Sequence, residues 1–185
     1  MAPLDRVLIT LALGAVAFVA GACASNPSAT APTTTDSSDV ASDSALFALV
    51  TSRQPFSGYT RFPNLDAGPD GILAASSAHQ PRIRVSMNAT AAGALQNGRL
   101  PSGASFPDGS IVFKEVLTGV SPNLYAIMYK DRANPRAGNG WLWAEIRPDG
   151  GVIFSITNKG NGCTSCHSLE QGPQHDFVRI FERQR

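Results

Sequence analysis

Cys163-Thr164-Ser165-Cys166-His167 is the stretch of this 185-residue chain whose residue types and spacing carry the most specific chemistry. Two thiols at this spacing match the two vinyl groups of a haem and can add across them as thioethers. The imidazole that follows at once is then held beneath the iron as its proximal ligand. Other uses of a Cys-x-x-Cys pair fit less well. A redox dithiol of the thioredoxin kind sits beside a βαβ unit, which this sequence does not show. A zinc site needs further ligands, and only His175 lies near. The pattern predicts one covalent haem c, held by Cys163, Cys166 and His167 near the C-terminal end.

A sixth iron ligand decides between electron transfer and chemistry at an open iron face. Met87, Met128, His79 and His175 are the candidates. Both methionines sit in strand-like runs, where the expected role is core filling. His79 lies in a polar loop and reads as a solvated side chain, and His175 follows His167 closely enough to share its side of the haem. None stands out, so an open distal site is expected.

Two cations have a less ordinary placement. In Ile111-Val112-Phe113-Lys114-Glu115-Val116-Leu117, strand alternation puts Lys114 between Val112 and Val116 on one face, while Ile111, Phe113 and Leu117 line the other. An ammonium on an apolar face is costly unless something pairs with it. The chain uses three lysines against twelve arginines, so a lysine here points to a role for an amine. The alternative is a lysine near a sheet end that snorkels to water. Arg84 shares a face with Arg82 and Ser86, opposite Ile83, Val85 and Met87. Turned inward it could meet a haem carboxylate or a distal ligand; turned outward it is a surface charge.

The elements that position these groups are mostly strands. β-rich runs cover residues 82–87, 110–117, 124–130, 141–147 and 152–157, and Pro148-Asp149-Gly150-Gly151 joins the last two as a hairpin turn. Short helices are expected after Asp43-Ser44, after the cap-like Asn88 and at the haem motif. A closing strand is expected over Phe177–Phe181. The connections are too short for helical crossovers, so the sheet should be mainly antiparallel. The expected class is α+β, β-dominated, with a few short helices and the haem attached late in the chain.

Ahead of this domain, residues 1–22 read as an export signal: Arg6, then an uncharged run from Val7 to Ala22 closed by small residues, too short for a membrane span. Ala20-Gly21-Ala22-Cys23 resembles a lipoprotein processing site, with Cys23 as the lipid attachment point, although plain cleavage would serve a soluble secreted protein equally. Residues 23–44 are rich in Ser, Thr, Ala and Pro and are expected to form a disordered tether. The expected location is the periplasm or cell surface, with membrane contact through the lipid. Residues 45–185 are left as the haem domain, with 14 basic against 10 acidic side chains. A balance this mild gives no support to nucleic-acid binding.

The series Arg82-Ile83-Arg84-Val85, Phe106 through Lys114-Glu115, Trp141-Leu142-Trp143, Asp149-Gly150, Cys163-x-x-Cys166-His167 and Asp176-Phe177-Val178 resembles the cytochrome P-460 family, which includes cytochrome c′-beta. The resemblance covers most of residues 45–185. It implies a mostly antiparallel β fold, often dimeric, with five-coordinate haem on a proximal histidine. The type member oxidises hydroxylamine and carries a lysine bonded covalently to the haem. By motif match that lysine is Lys114 and the distal-side arginine is Arg84. The c′-beta branch has a Phe-lined distal side that binds nitric oxide, a part for which Phe56, Phe62 and Phe106 are the candidates. The expected function is an exported monohaem cytochrome acting as an oxidoreductase on hydroxylamine or nitric oxide, with a redox partner cytochrome. The alternative is a gas-binding or electron-carrying cytochrome without turnover.

Overall fold

Alternating apolar runs pair into one antiparallel sheet in the computed structural model, which describes residues 40–75 and 78–185. The export signal and Cys23 lie outside the described residues, as does the tether up to residue 39. In chain order, α1 (Asp43–Ala48) starts at Ser42, whose hydroxyl accepts from the Ala45 amide at 3.1 Å. It continues into a π-helical turn, Leu49–Arg53. Two very short strands follow, β1 (Thr60–Arg61) and β2 (Leu73–Ala74). Both pair with β3 (Arg82–Met87), at its opposite ends. Asn88 then caps α2 (Ala89–Gly93), its Oδ1 accepting from the Ala91 amide at 3.0 Å.

The long strands β4 (Ile111–Thr118), β5 (Ser121–Lys130) and β6 (Trp141–Ile146) form the middle of the sheet, and β7 (Val152–Phe154) its far edge. The order is β1-β3-β4-β5-β6-β7, with β2 added beside β3 to make seven strands, every pair antiparallel. Helix α3 (Cys163–His167) and two 3-10 turns, Pro173–His175 and Arg179–Arg183, complete the chain. The domain is therefore α+β and β-dominated, with few and short helices.

Both faces of the sheet are covered. On one face Ile111 and Phe113 of β4, Tyr125, Ile127 and Tyr129 of β5 and Leu142 and Ile146 of β6 pack under Leu46, Leu49 and Val50. Phe56 stacks on Phe113 there with ring centroids 4.4 Å apart, a pairing worth about 0.5–1.5 kcal/mol beyond its buried area. The other face carries Val85, Met87, Val112, Val116, Met128, Trp141 and Trp143, covered by Phe62, Leu100, Phe106, Val178 and Phe181.

Two expectations need correction. Residues 177–181 do not form a closing strand. Val178 and Phe181, three apart, turn to the core together, which is the spacing of a helical turn, and Asp176 and Phe177 just before them take left-handed backbone. Ordered packing also begins ahead of residue 45: Val40 is fully buried, and the Asp43 carboxylate accepts from Ile156 N at 2.8 Å and Ser155 Oγ at 2.7 Å.

Candidate functional site

A cavity of about 370 Å³ opens between the sheet and the C-terminal segment. Its sheet wall is Ile83 and Val85 of β3, Val112 and Lys114 of β4, Ala126 and Met128 of β5, and Trp143 and Glu145 of β6. The facing wall is Cys163, Cys166 and His167 of α3 with Val178, Arg179, Ile180 and Arg183. The size lies within the range of roughly 300–1,000 Å³ usual for ligand and cofactor pockets.

The wall that carries the cysteine pair is held by specific contacts. Gly160 sits at φ +70°, and a Cβ there would meet the Trp143 ring at 2.5 Å, so only glycine lets the chain pass this close before α3. Trp143 is fixed by its own Nε1–H, which donates to Gly138 O at 2.9 Å, and it presents its ring edge-on to His167, centroids 4.8 Å apart. His167 Nδ1 lies 2.6 Å from Phe177 O. A carbonyl only accepts, so Nδ1 carries the proton and Nε2 keeps its lone pair. Burial pushes the His167 pKa down to about 4, against the support of that carbonyl, so the ring is neutral. Neutral imidazole with one nitrogen anchored and the other free is the form in which histidine binds a metal.

Both cysteines are free thiols, Cys163 half-buried and Cys166 exposed. Burial, with smaller contributions from Glu145 and Cys166, pushes the Cys163 pKa up to about 11. A redox dithiol needs the opposite shift.

On the sheet wall Lys114 Nζ lies 3.1 Å from His79 Nδ1, and His79 Nε2 lies 2.8 Å from Glu145 Oε1. The hydrogen bond from His79 holds the Glu145 carboxyl below its ordinary pKa in spite of burial. An ionised carboxylate accepts only, so His79 Nε2 is the donor and Nδ1 accepts from the lysine. Burial pushes Lys114 down to about 8, opposed by the attraction of Glu145. An amine poised near neutrality is thereby set in an apolar wall with a proton route leading away from it. His79 is thus a member of the site and not a solvated loop residue. Glu145 and Trp143 were missed in the sequence, although alternation along β6 places Trp141, Trp143 and Glu145 on one face.

Cys163, Cys166, His167 and Lys114 all line this cavity. Arg84 does not join them. Its guanidinium holds Glu115 across the β3–β4 pair, Nη1 lying 3.0 and 2.9 Å from the two carboxylate oxygens. In that register Val85, not Arg84, is the partner of Lys114, so Arg84 belongs to the opposite face. Phe56, Phe62 and Phe106 are also elsewhere: Phe56 packs on Phe113 behind the sheet, and Phe62 and Phe106 pack on Phe181 in the core. The aromatic side chains at the cavity are Trp143 and Phe154. Of the four candidate iron ligands, Met128 and His79 reach it. Met87 is buried in the core beside it, and His175 turns to Leu100 O at 3.1 Å.

These walls fit a haem. Apolar side chains from β3, β4, β5 and β6 suit a flat macrocycle, Arg183 suits one of its carboxylates, the thiols suit its vinyl groups, and His167 offers one ring nitrogen, whereas Arg179 is held by Glu170 and Glu182 at 2.9 and 2.7 Å. Among the described residues no three of His, Cys, Asp and Glu gather to hold a metal unaided. No family model matches the chain, and no curated protein matches it.

Proposed function

We propose that residues 40–185 form the haem domain of an exported monohaem c-type cytochrome of the cytochrome P-460 kind. The reading rests first on one observation: the Cys-x-x-Cys-His helix lines a cavity of about 370 Å³, with His167 Nδ1 spent on Phe177 O at 2.6 Å. In attachment each thiol would add across one vinyl group, sulfur bonding one carbon and the proton passing to the other, so no oxidant would be needed. Cys163 and Cys166 would be the anchors and His167 Nε2 would be the iron ligand.

Bound haem would supply a redox-active iron, and the chain would supply its surroundings. Ile83, Val85, Val112 and Met128 exclude water from the sheet side. Lys114 holds or releases a proton at Nζ, and His79 with Glu145 carries it onward. A small nitrogen species that loses protons and electrons on oxidation, hydroxylamine above all, matches such a wall, with the electrons leaving to a partner cytochrome. That favours an oxidoreductase. The second reading is a cytochrome that binds nitric oxide or carries electrons without turnover, and Met128 at the cavity supports the electron-carrying form.

The test is the protein matured in a strain competent in haem attachment. Covalent haem in the intact mass, lost in His167→Ala or Cys163→Ala/Cys166→Ala, is the expected result, and a haem-free product overturns the reading. A red-shifted ferrous band with a peptide joining Lys114 to haem assigns hydroxylamine oxidation. An ordinary ferrous c-type spectrum without that peptide assigns the second reading.

A further inference from the structure

Asp176 and Phe177 are consecutive non-glycine residues in left-handed backbone, φ +52° and +67°. Such residues persist only where their surroundings over-determine them, and they concentrate at functional positions. The surroundings here are the ends of the sheet. Asp176 Oδ1 accepts from Lys130 Nζ at 2.8 Å, Oδ2 from the Phe106 amide at 2.8 Å, and its carbonyl from Trp141 Nε1 at 2.9 Å. Lys130 is 2% exposed and Asp176 7%, and the ammonium also lies over the Trp141 ring, 4.8 Å from its centroid. The next carbonyl along the chain, Phe177 O, is the one that receives Nδ1–H of His167.

We propose that the buried Lys130–Asp176 pair is the positioning device for the metal-binding histidine. It pins the left-handed turn, the turn aims the Phe177 carbonyl, and the carbonyl fixes the tautomer, orientation and donor strength of His167. This rests on the haem reading for its consequence at iron, but not for its effect on the histidine itself. Weakening the carbonyl contact makes His167 a poorer donor and favours the reduced metal. Outer partners of this kind typically matter 10–100-fold.

The test compares wild type with Asp176→Asn and with the volume-matched Lys130→Met/Asp176→Asn, which leaves no buried charge unpaired. In the haem-free proteins, imidazole ¹⁵N shifts report which ring nitrogen of His167 carries the proton. Wild type is expected as the Nδ1–H form and the variants as mixtures. In the matured proteins, the iron–histidine stretching band should move. The ferrous-to-ferric ratio at fixed ambient potential should rise about tenfold, or about 59 mV for one electron. Unchanged ¹⁵N shifts with only a lower melting temperature would overturn the proposal, as would loss of fold in both variants, since the pair would then serve stability alone. Variants with altered ¹⁵N shifts from a wild type that takes up no haem would sustain the positioning role and sink the haem reading.

Discussion

Lys114 reaches Glu145 through the imidazole of His79, 3.1 Å on one side of the ring and 2.8 Å on the other. Burial lowers the pKa of this amine, and the Glu145 carboxylate beyond the ring opposes the fall. In the haem-free protein, acylation of Lys114 should therefore show a midpoint near pH 8, against ~10.4 for an ordinary lysine. Peptide mapping after pulses of reagent at stepped pH reads this directly. A midpoint near 10 would show that burial does not govern the group.

The same shift has a signature in stability. The unfolded chain keeps a proton on this lysine up to ~10.4, whereas the folded chain sheds it near 8. Between those values the unfolded state binds more protons, so stability should rise with pH across the window. Lys114→Met should flatten that rise in urea titrations.

Glu145→Gln removes the attraction that raises the Lys114 pKa, so the acylation midpoint should fall below about 8. The Glu145 pKa is itself depressed, so its contribution to stability is present above ~4.3 and lost as pH falls through the lower folded value. The variant should show less acid-induced loss than wild type over that range.

Arg84→Met tests the reassignment of that residue. It leaves Glu115, 8% exposed, without its cross-strand cation, at a cost of about 1–3 kcal/mol in urea unfolding. The Lys114 midpoint should not move. A shifted midpoint would return Arg84 to the cavity.

Gly160→Ala combines a left-handed alanine with a collision against Trp143, and should destabilise by about 2–4 kcal/mol. Gly103→Ala has a similar φ, +78°, but open space around it, so only the conformational part of roughly 1–2 kcal/mol applies. Near-UV circular dichroism should change at tryptophan in the first variant and not in the second.

Much of this was legible in the residues. Alternation through 111–117 separates Lys114 from Phe113 correctly, because a strand has a fixed period of two, and the Cys-x-x-Cys-His spacing names its own wall. Arg84 was not legible: alternation sets it opposite Val85, but only the β3–β4 register shows that Val85 is beside Lys114. His79 was hidden for a different reason. Its partners lie 35 and 66 residues away, and no local pattern encodes a loop histidine's reach. Residues 177–181 misled because Phe177, Arg179 and Phe181 imitate alternation, while the burial that decides the turn comes from Val178 and Phe181.

Every strand of the sheet ends by Phe154, and everything on the facing wall of the cavity begins at Gly162. The two walls are thus separated in time as well as in space. A chain made from its N-terminus delivers all its strands before either wall thiol emerges. The cysteine pair thus follows every strand in the chain, and the core of that sheet face is completed only by Val178 and Phe181, which come after the pair.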